Sequence, residues 1–161
     1  MKLLEKILLP VDFSANSDDA IKNAVHIAKK FNSTVFLLHV IPEIKVEGIT
    51  KDMIEEKVSE KLKEISSTIE KEGVTVEKQI IENGDVIDKI ITNADIIGVN
   101  VIICGSGSEE DTIGLTAEKL IRKSLKPVWV IKKGSMLAKS NMLCPVDFSE
   151  ASRRALKNAI H

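Results

Sequence analysis

Four short, nearly continuous apolar runs, separated by longer segments with helical periodicity, dominate the pattern of this chain. The runs cover residues 6–12, 34–40, 100–104 and 128–131. A strand buried on both faces has apolar residues at consecutive positions, whereas a strand with one exposed face alternates. Parallel neighbours require crossover connections, which place helices on the faces of the sheet. The pattern therefore predicts an α/β fold whose parallel sheet has helices on both faces.

The segments between these runs predict the remaining elements. Helical spacing of apolar residues predicts helices over 17–31, 51–71, 85–97 and 116–125. Residues 75–81 alternate between polar and apolar and so predict an edge strand. The resulting order, β-α-β-α-β-α-β-α-β, predicts a doubly wound five-stranded sheet with the strand order 3-2-1-4-5.

Ligands of such sheets bind at the carboxyl ends of the strands, where the strand order reverses. In the predicted order that point lies between the first and fourth strands. The residues that follow these two strands are 12–14 and 105–114. We therefore expect the functional site at these two loops.

The start of the chain is repeated near its end. Residues 6–14 correspond to residues 141–149 at a constant offset of 135, and Pro-Val-Asp-Phe-Ser is identical in both copies. Six further identities follow at the same offset: Ser17, Ala20, Lys22, Asn23, Ala24 and His26 match Ser152, Ala155, Lys157, Asn158, Ala159 and His161. A period of this length is that of a whole domain rather than a solenoid repeat.

The repeat predicts a division of the chain into a complete domain over 1–135 and an incomplete second copy. Residues 136–161 would then hold a linker, the first strand and the start of the first helix of that copy. Two origins remain open, a fragment of a tandem protein or a copy that has been lost. The apolar residues of the tail are expected to be buried against the first domain or, preferably, a neighbouring chain: Met142, Leu143, Val146, Phe148, Ala155, Leu156 and Ile160.

Charge and composition exclude several classes of protein. The chain has 23 Lys and Arg against 24 Asp and Glu, a formal net charge of −1, so it lacks the cationic excess that nucleic-acid binding requires. It has no apolar run long enough to span a bilayer, and because its first residues are charged where a signal peptide is apolar, we expect no signal peptide. Two cysteines, Cys104 and Cys144, are too few for a disulfide framework or a zinc site and indicate buried thiols. We expect a cytoplasmic protein.

Several motifs, taken in order, resemble the universal stress protein family. They are the strand ending Leu-Pro-Val-Asp-Phe-Ser at 9–14, Leu38-His39-Val40, the glycine-containing loop before Glu118-Lys-Leu-Ile121, and Lys126-Pro-Val-Trp-Val-Ile131. The resemblance covers 1–133, and 139–161 looks like the start of a second such domain. It implies a fold like that of the adenine-nucleotide α-hydrolases and a dimer formed through the fifth strand, Val128, Trp129, Val130 and Ile131. In one branch of the family it also implies ATP binding without a metabolic reaction.

In the ATP-binding branch this loop has three glycines followed by a hydroxyl residue. Two residues separate the first glycine from the second, nine separate the second from the third, and a Ser or Thr follows the third. Backbone N–H groups of such a loop and the following helix N-terminus hold phosphates. Here Gly105 matches the first glycine and Gly114 the last, while Ser108 replaces the middle glycine. Leu115 replaces the hydroxyl residue, although Thr116 follows it, and the loop is four residues shorter than the pattern.

Three carboxylates lie in this loop, at Glu109, Glu110 and Asp111. At about 6 Å and an effective dielectric constant near 20, each repels a unit of phosphate charge by roughly 3 kcal/mol. A helix N-terminus contributes about 0.3–2 kcal/mol in the opposite direction. Repulsion therefore prevails unless the acids point away from the phosphates or bind Mg²⁺. A solvated acidic loop at the start of the following helix is the alternative interpretation.

The candidate ligand-binding residues are Pro10, Asp12, Val40, Gly105, Gly114 and Thr116. For Asp12, Pro10 and Val40 the resemblance implies positions beside a ribose and an adenine. Asp12 also has a structural interpretation at least as strong, in which it accepts backbone N–H bonds at the start of the first helix with Ser14 or Ser17 as N-cap. No catalytic or metal-ligating residue is expected.

The sequence favours a module that is not an enzyme. It contains no nucleophile elbow, Walker loop or Gly-x-Gly-x-x-Gly motif, and its histidines do not form part of a recognisable triad. We expect a dimerising stress-response module with unidentified protein partners, in which nucleotide binding is weak or lost and no cofactor is required. The alternatives are an ATP–Mg²⁺ switch that uses the Gly105–Leu115 loop and a cryptic adenine-nucleotide hydrolase.

Overall fold

The computed structural model describes residues 4–43, 50–107, 113–137 and 143–160, with side chains to residue 157. Five strands are present in these ranges: β1 (Lys6–Pro10), β2 (Thr34–Ile41), β3 (Val76–Asn83), β4 (Val101–Gly105) and β5 (Val128–Ile131). Five helices accompany them: α1 (Ala15–Phe31), α2 (Lys51–Lys71), α3 (Val86–Ile97), α4 (Leu115–Lys123) and α5 (Glu150–Ile160). None of these helices combines the length and the apolar character needed to cross a membrane.

The five strands form one parallel sheet in the order β3-β2-β1-β4-β5. This order and the parallel pairing confirm the fold class predicted from the apolar runs. The strand order reverses next to β1, which pairs with β2 on one side and with β4 on the other. β3 and β5 are the two edges of the sheet.

Two apolar layers hold the sheet between its helices. Ile7 and Leu9 of β1 point into the layer under α1 and α2, whereas Leu8 points into the layer under α3 and α4. All three side chains are fully buried. Burying a side chain of this size stabilises the fold by about 1.5–3 kcal/mol, so the consecutive apolar positions of β1 follow from its place at the centre of the sheet.

Two helix ends differ from the sequence prediction by two residues, each for a local reason. α1 begins at Ala15 rather than residue 17, because Ser14 is its N-cap and accepts from the Ser17 N–H. α4 ends at Lys123 rather than residue 125. The Ser124 side chain there accepts from the Lys126 N–H and forms a turn before Pro127, and the residue before a proline disfavours helical backbone.

The segment after β5 is attached to α1 by hydrogen bonds. Asn23 is fully buried, donates to the Ser135 carbonyl at 2.8 Å and accepts from the Leu137 N–H at 2.8 Å. The Gly134 N–H donates to Asp19 at 2.8 Å. Residues 134–137 are therefore held against α1.

The tail forms the predicted helix but not the predicted strand. α5 is present, whereas residues 143–147 are not in a strand. In the sheet, the central position between β2 and β4 is taken by β1 itself, so no equivalent position is left for the tail segment. Leu143 is 91% exposed and Phe148 90% exposed. The expectation that these side chains are buried against the first domain is therefore wrong; burial against a neighbouring chain stays a prediction. Met142 and the side chain of Ile160 lie outside the described residues.

The turn before α5 nevertheless shares a backbone φ value and a hydrogen bond with the turn after β1. Phe13 and Phe148 both have φ of 63°. The Ser14 N–H donates to Asp12 Oδ1 at 3.0 Å, and the Ser149 N–H donates to Asp147 Oδ1 at 2.9 Å. The sequence repeat is thus a repeat of local structure, which forms in the tail without any sheet beside it.

Candidate functional site

A cleft of about 420 Å³ opens at the carboxyl ends of β1, β2 and β4, next to the reversal of the strand order. Its position agrees with the rule for doubly wound sheets. Five of the six candidate ligand-binding residues line it: Pro10, Asp12, Val40, Gly105 and Thr116. The sixth, Gly114, is the N-cap of α4, and its N–H donates to the Ser106 carbonyl at 2.7 Å. The fold brings these residues together, and their roles toward a ligand stay predictions.

Asp12 organises the turn between β1 and α1. Its Oδ1 accepts from the Ser14 N–H at 3.0 Å, the Ser14 hydroxyl at 2.6 Å and the Ser17 hydroxyl at 2.5 Å. Partial burial acts to raise the pKa of Asp12, but these hydrogen bonds outweigh it and hold the pKa below its ordinary value. Asp12 therefore has the structural role considered in the sequence analysis, in which it accepts hydrogen bonds at the start of α1. Because its pKa is lowered, it is an anion at neutral pH.

His39 forms the wall of the cleft behind this turn. Its ring stacks on Phe13 with centroids 4.4 Å apart, and the Lys61 ammonium lies 4.9 Å from the centroid of the same Phe13 ring. Since a carbonyl can only accept, the contact of 2.7 Å between His39 Nδ1 and the Val11 oxygen places the proton on Nδ1. Burial lowers the pKa of His39 and outweighs the hydrogen bond and the Asp12 charge, which raise it. The imidazole is therefore neutral at pH 7.

The two glycines of the β4–α4 loop permit close backbone contacts. A Cβ atom on Gly105 would lie 2.7 Å from the Asn16 carbonyl oxygen, and one on Gly114 would lie 2.8 Å from the Ser106 carbonyl oxygen. Real Cβ atoms essentially never approach so closely. Both glycines thus have a packing role at the cleft, whether or not a ligand binds there.

The electrostatic character of the cleft is set by few groups. Among the described residues that line it, the titratable side chains are Asp12, His39 and Cys104, and none is a lysine or arginine. Burial raises the pKa of the Cys104 thiol to about 12, so this thiol is not a nucleophile at neutral pH. Residues 108–112, with the three loop carboxylates and Ser108, lie outside the described residues.

Two features provide hydrogen-bond donors for a ligand. α4 begins at the cleft, and among the described residues no side chain caps its first turn, since the N-cap is Gly114; backbone N–H groups at a helix start have no partner within the helix. A second hollow of about 340 Å³ adjoins the cleft and shares Thr116 with it; Lys119 lines this hollow. The described residues contain no group of three or more His, Cys, Asp or Glu side chains that could hold a metal ion.

Sequence reasoning did not identify the α3 side of the cleft. Val86 and Ile90 line it, and both also pack in the apolar layer. Apolar residues at helical spacing have the same pattern whether they face a core or a cleft, so no signal in the sequence distinguishes them. Asn16 and Ser17 were also missed as lining residues, whereas Gly107 lies in the 105–114 loop where the site was expected.

The strand proposed for dimerisation is an exposed edge. Val128, Trp129 and Val130 of β5 are each partly exposed, whereas Ile131 is buried. Exposed apolar side chains lie on the segments immediately before and after this strand: Ile121, Leu125, Met136 and Leu137.

Comparison with known proteins gives a consistent result. Residues 4–132 match the model of the Universal stress protein family. The chain is 31% identical over 157 residues to universal stress protein MJ0577 of Methanocaldococcus jannaschii, covering 81% of this chain and 96% of that protein. The solved structure of MJ0577 superposes with a TM-score of 0.72 and 30% identity, covering 87% of this chain and 99% of that chain.

Two structures from Archaeoglobus fulgidus are also similar, each with 26% identity and a TM-score of 0.63. One is a universal stress protein in complex with dAMP, and the match covers 82% of this chain and 100% of that chain. The other is a universal stress protein for which the match covers 83% of this chain and 45% of that chain.

Proposed function

The chain belongs to the universal stress protein family, and from that premise we propose a non-enzymatic module with two properties. Its cleft holds the nucleoside part of an adenine nucleotide and binds the phosphates weakly, and β5 pairs with the same strand of a second copy. The observation that carries the nucleoside-binding proposal is the composition of the cleft. Its lining is mainly apolar, its one carboxylate is Asp12, and no described lining residue is a lysine or arginine.

The walls of the cleft favour a planar base and a sugar. Pro10, Val40, Val86 and Ile90 supply apolar surface, and Asp12 supplies an anionic acceptor. A volume of about 420 Å³ lies in the range of small-ligand sites, which combine apolar walls with a few polar groups. The similar A. fulgidus protein in complex with dAMP supports a ligand of this size.

The phosphate end of the site is the weak part. Donors there consist of the uncapped start of α4 and, in the adjoining hollow, Lys119. They are opposed by Asp12 and by the carboxylates of Glu109, Glu110 and Asp111 in the same loop of the sequence. Each further phosphate adds negative charge to this end, so affinity should not increase with phosphate number.

Nothing in the described cleft prepares a group for catalysis. The Cys104 thiol is protonated, and the Nδ1 of His39 is bound to a backbone carbonyl. The Ser14 and Ser17 hydroxyls donate to the Asp12 carboxylate, whose lowered pKa makes it a weak base. Activation of a nucleophile requires a stronger adjacent base or a lowered pKa of the nucleophile itself, and the described contacts supply neither.

Dimerisation through β5 is supported by the exposed edge. An unpaired strand of apolar β-formers promotes aggregation unless something covers it, and antiparallel pairing about a two-fold axis covers both edges at once. The exposed Leu125 and Met136, on either side of the strand in sequence, add apolar area to such a contact.

We also propose that the tail is the beginning of a second universal stress protein domain. The support is the common backbone of the two turns, with φ of 63° at Phe13 and Phe148. Hydrogen bonds from Ser149 and Ser152 lower the pKa of Asp147 to about 2, and the Ser149 N–H donates to Asp147 as the Ser14 N–H does to Asp12. The longer A. fulgidus protein, of which the match occupies 45%, shows that a relative can extend well beyond one such unit.

The second candidate function is an ATP–Mg²⁺ switch. The uncapped N-terminus of α4 favours it, because free N–H groups at a helix start are a common phosphate site. A cryptic hydrolase is the third candidate. It would be supported if the protein released inorganic phosphate from ATP and if substitution of Asp12 abolished that release.

A cleft-filling variant tests the proposed site. Thr116 is exposed and lines the cleft, so Thr116→Phe should block it without disturbing the core, whereas Arg122→Phe places the same ring on the exposed part of α4. We expect wild type and Arg122→Phe to bind AMP equally in calorimetry and Thr116→Phe to lose about tenfold or more in affinity. Equal binding by all three proteins would place the ligand elsewhere.

A further inference from the structure

Asn16, the second residue of α1, has a side-chain oxygen that the fold leaves without a hydrogen-bond donor. Asn16 lines the cleft, and its backbone carbonyl packs against Gly105. Its Oδ1 is buried and has no partner, and no other buried side-chain nitrogen or oxygen of the described residues shares this condition. Buried acceptors are almost always paired, because an unpaired one loses its water without replacement. The oxygen therefore requires an explanation.

The local fold does not need this amide. Ser14 caps α1, and Ser17 closes the turn onto Asp12, so neither task falls to Asn16. The offset of 135 residues places Ala151 at the equivalent position of the tail. The same turn and a helix form there with alanine. An asparagine whose buried oxygen has no partner, at a position where alanine suffices, indicates a function in binding.

We propose that Asn16 is a specificity-determining residue of the cleft, whose Oδ1 accepts a hydrogen bond from a sugar hydroxyl of the ligand. The inference rests on the proposed function, which supplies a nucleoside as the ligand. The three hydrogen bonds that described residues donate to Asp12 all end on Oδ1, so its Oδ2 is a second acceptor on the same turn. Two acceptors match a diol, which donates twice, and repel a phosphate, which accepts only.

Adenosine and 2′,3′-dideoxyadenosine separate this contact from the rest of the ligand, because they differ only in the sugar hydroxyls. Calorimetric titrations use the full-length wild type, Asn16→Ala and Asn16→Asp. Asp18→Ala is the control, since Asp18 lies in the same helical turn but does not line the cleft. Thermal unfolding of each protein without ligand is measured alongside.

We expect Asn16→Ala to lose about tenfold in affinity for adenosine, the size of one hydrogen bond, and to change less than about twofold for the dideoxy compound. Asn16→Asp keeps an acceptor and should retain the preference for adenosine, and Asp18→Ala should bind both compounds as wild type does. The ligand-free Asn16→Ala protein should unfold at the same or a higher temperature than wild type, because a buried unpaired group has been removed.

Four results would overturn the inference. Equal losses for both nucleosides would show that Asn16 does not contact a hydroxyl. A lower unfolding temperature of the ligand-free Asn16→Ala protein would show a structural role. Adenosine binding that is unchanged in Asn16→Ala would remove Asn16 from the site and leave the proposed function intact, whereas a wild type that binds neither compound would overturn both.

Discussion

At the scale of the residue, the turn Pro10-Val-Asp-Phe-Ser14 combines two roles that the sequence could not separate. Its serines satisfy Asp12 and start α1, which is a structural role. The same arrangement holds an anionic carboxylate at the mouth of the sheet, which a ligand can use. Phe13 adopts the left-handed backbone that bulky residues rarely take. Its ring is held between His39 and Lys61, contacts that offset this strain.

The stability of this arrangement should depend on the protonation of His39. In the unfolded chain His39 binds a proton at its ordinary pKa of 6.5, whereas in the folded protein it does so only at lower pH. The unfolded state therefore binds more protons, and the contribution of His39 to stability is lost as pH falls below 6.5 toward the folded pKa. Removing the ring contact in His39→Gln should cost about 0.5–1.5 kcal/mol at pH 7.5, and less at pH 5.

Urea unfolding of wild type and His39→Gln at several pH values between 7.5 and 5 measures this difference. We expect the gap in the free energy of unfolding to narrow as the pH falls. A gap that stays constant over the whole range would show that His39 does not titrate differently in the folded and unfolded states.

At the scale of the element, the sequence predicted most of the sheet and of the cleft floor. Strand β5 and helix α2 have the predicted bounds, Val128–Ile131 and Lys51–Lys71, because continuous apolar runs and helical periodicity are direct consequences of burial. In the tail, residues 143–147 do not form the predicted strand, since Leu143-Cys-Pro-Val has the pattern of β1 but no partner strand among the described residues. The hydrophobic pattern of a segment shows that it can form a strand, whereas strand formation also requires a neighbouring strand with which to pair.

The contribution of β5 to assembly can be tested with the opposite edge as the control. A lysine at Val130 would place a charge in the antiparallel contact, where it loses its water, so Val130→Lys should sediment as a monomer while wild type sediments as a dimer. Gln79 is exposed on β3, the other edge of the sheet, and Gln79→Lys should leave the dimer unchanged. A dimer that persists in Val130→Lys would argue against this interface.

At the scale of the whole molecule, the described core lies before the tail. Its two apolar layers include no described residue beyond Ile131. The chain after β5 is attached through Asn23 and Asp19 as far as Leu137, and the described tail side chains are mostly exposed. The sequence placed the boundary at 135 from the repeat alone, and it could not show that a buried asparagine holds the next two residues.

Truncation tests this division of the chain. A chain of residues 1–137 keeps every partner of Asn23 and should unfold within about 1 kcal/mol of the full chain. A chain of residues 1–133 leaves the buried Asn23 amide without Ser135 and Leu137 and should lose about 1–3 kcal/mol. Failure of residues 1–137 to fold would show that the tail belongs to the first core.

The central claim, a cleft that binds the nucleoside and not the phosphates, is tested most directly by one calorimetric series. Adenosine, AMP, ADP and ATP are titrated into the full-length protein, each with and without Mg²⁺. We predict that affinity stays level or falls as phosphates are added, because the described cleft has a carboxylate and no lysine or arginine. A dissociation constant for ATP–Mg²⁺ below about 10 μM, roughly −7 kcal/mol, and tighter than that of adenosine would contradict the account and establish the ATP switch.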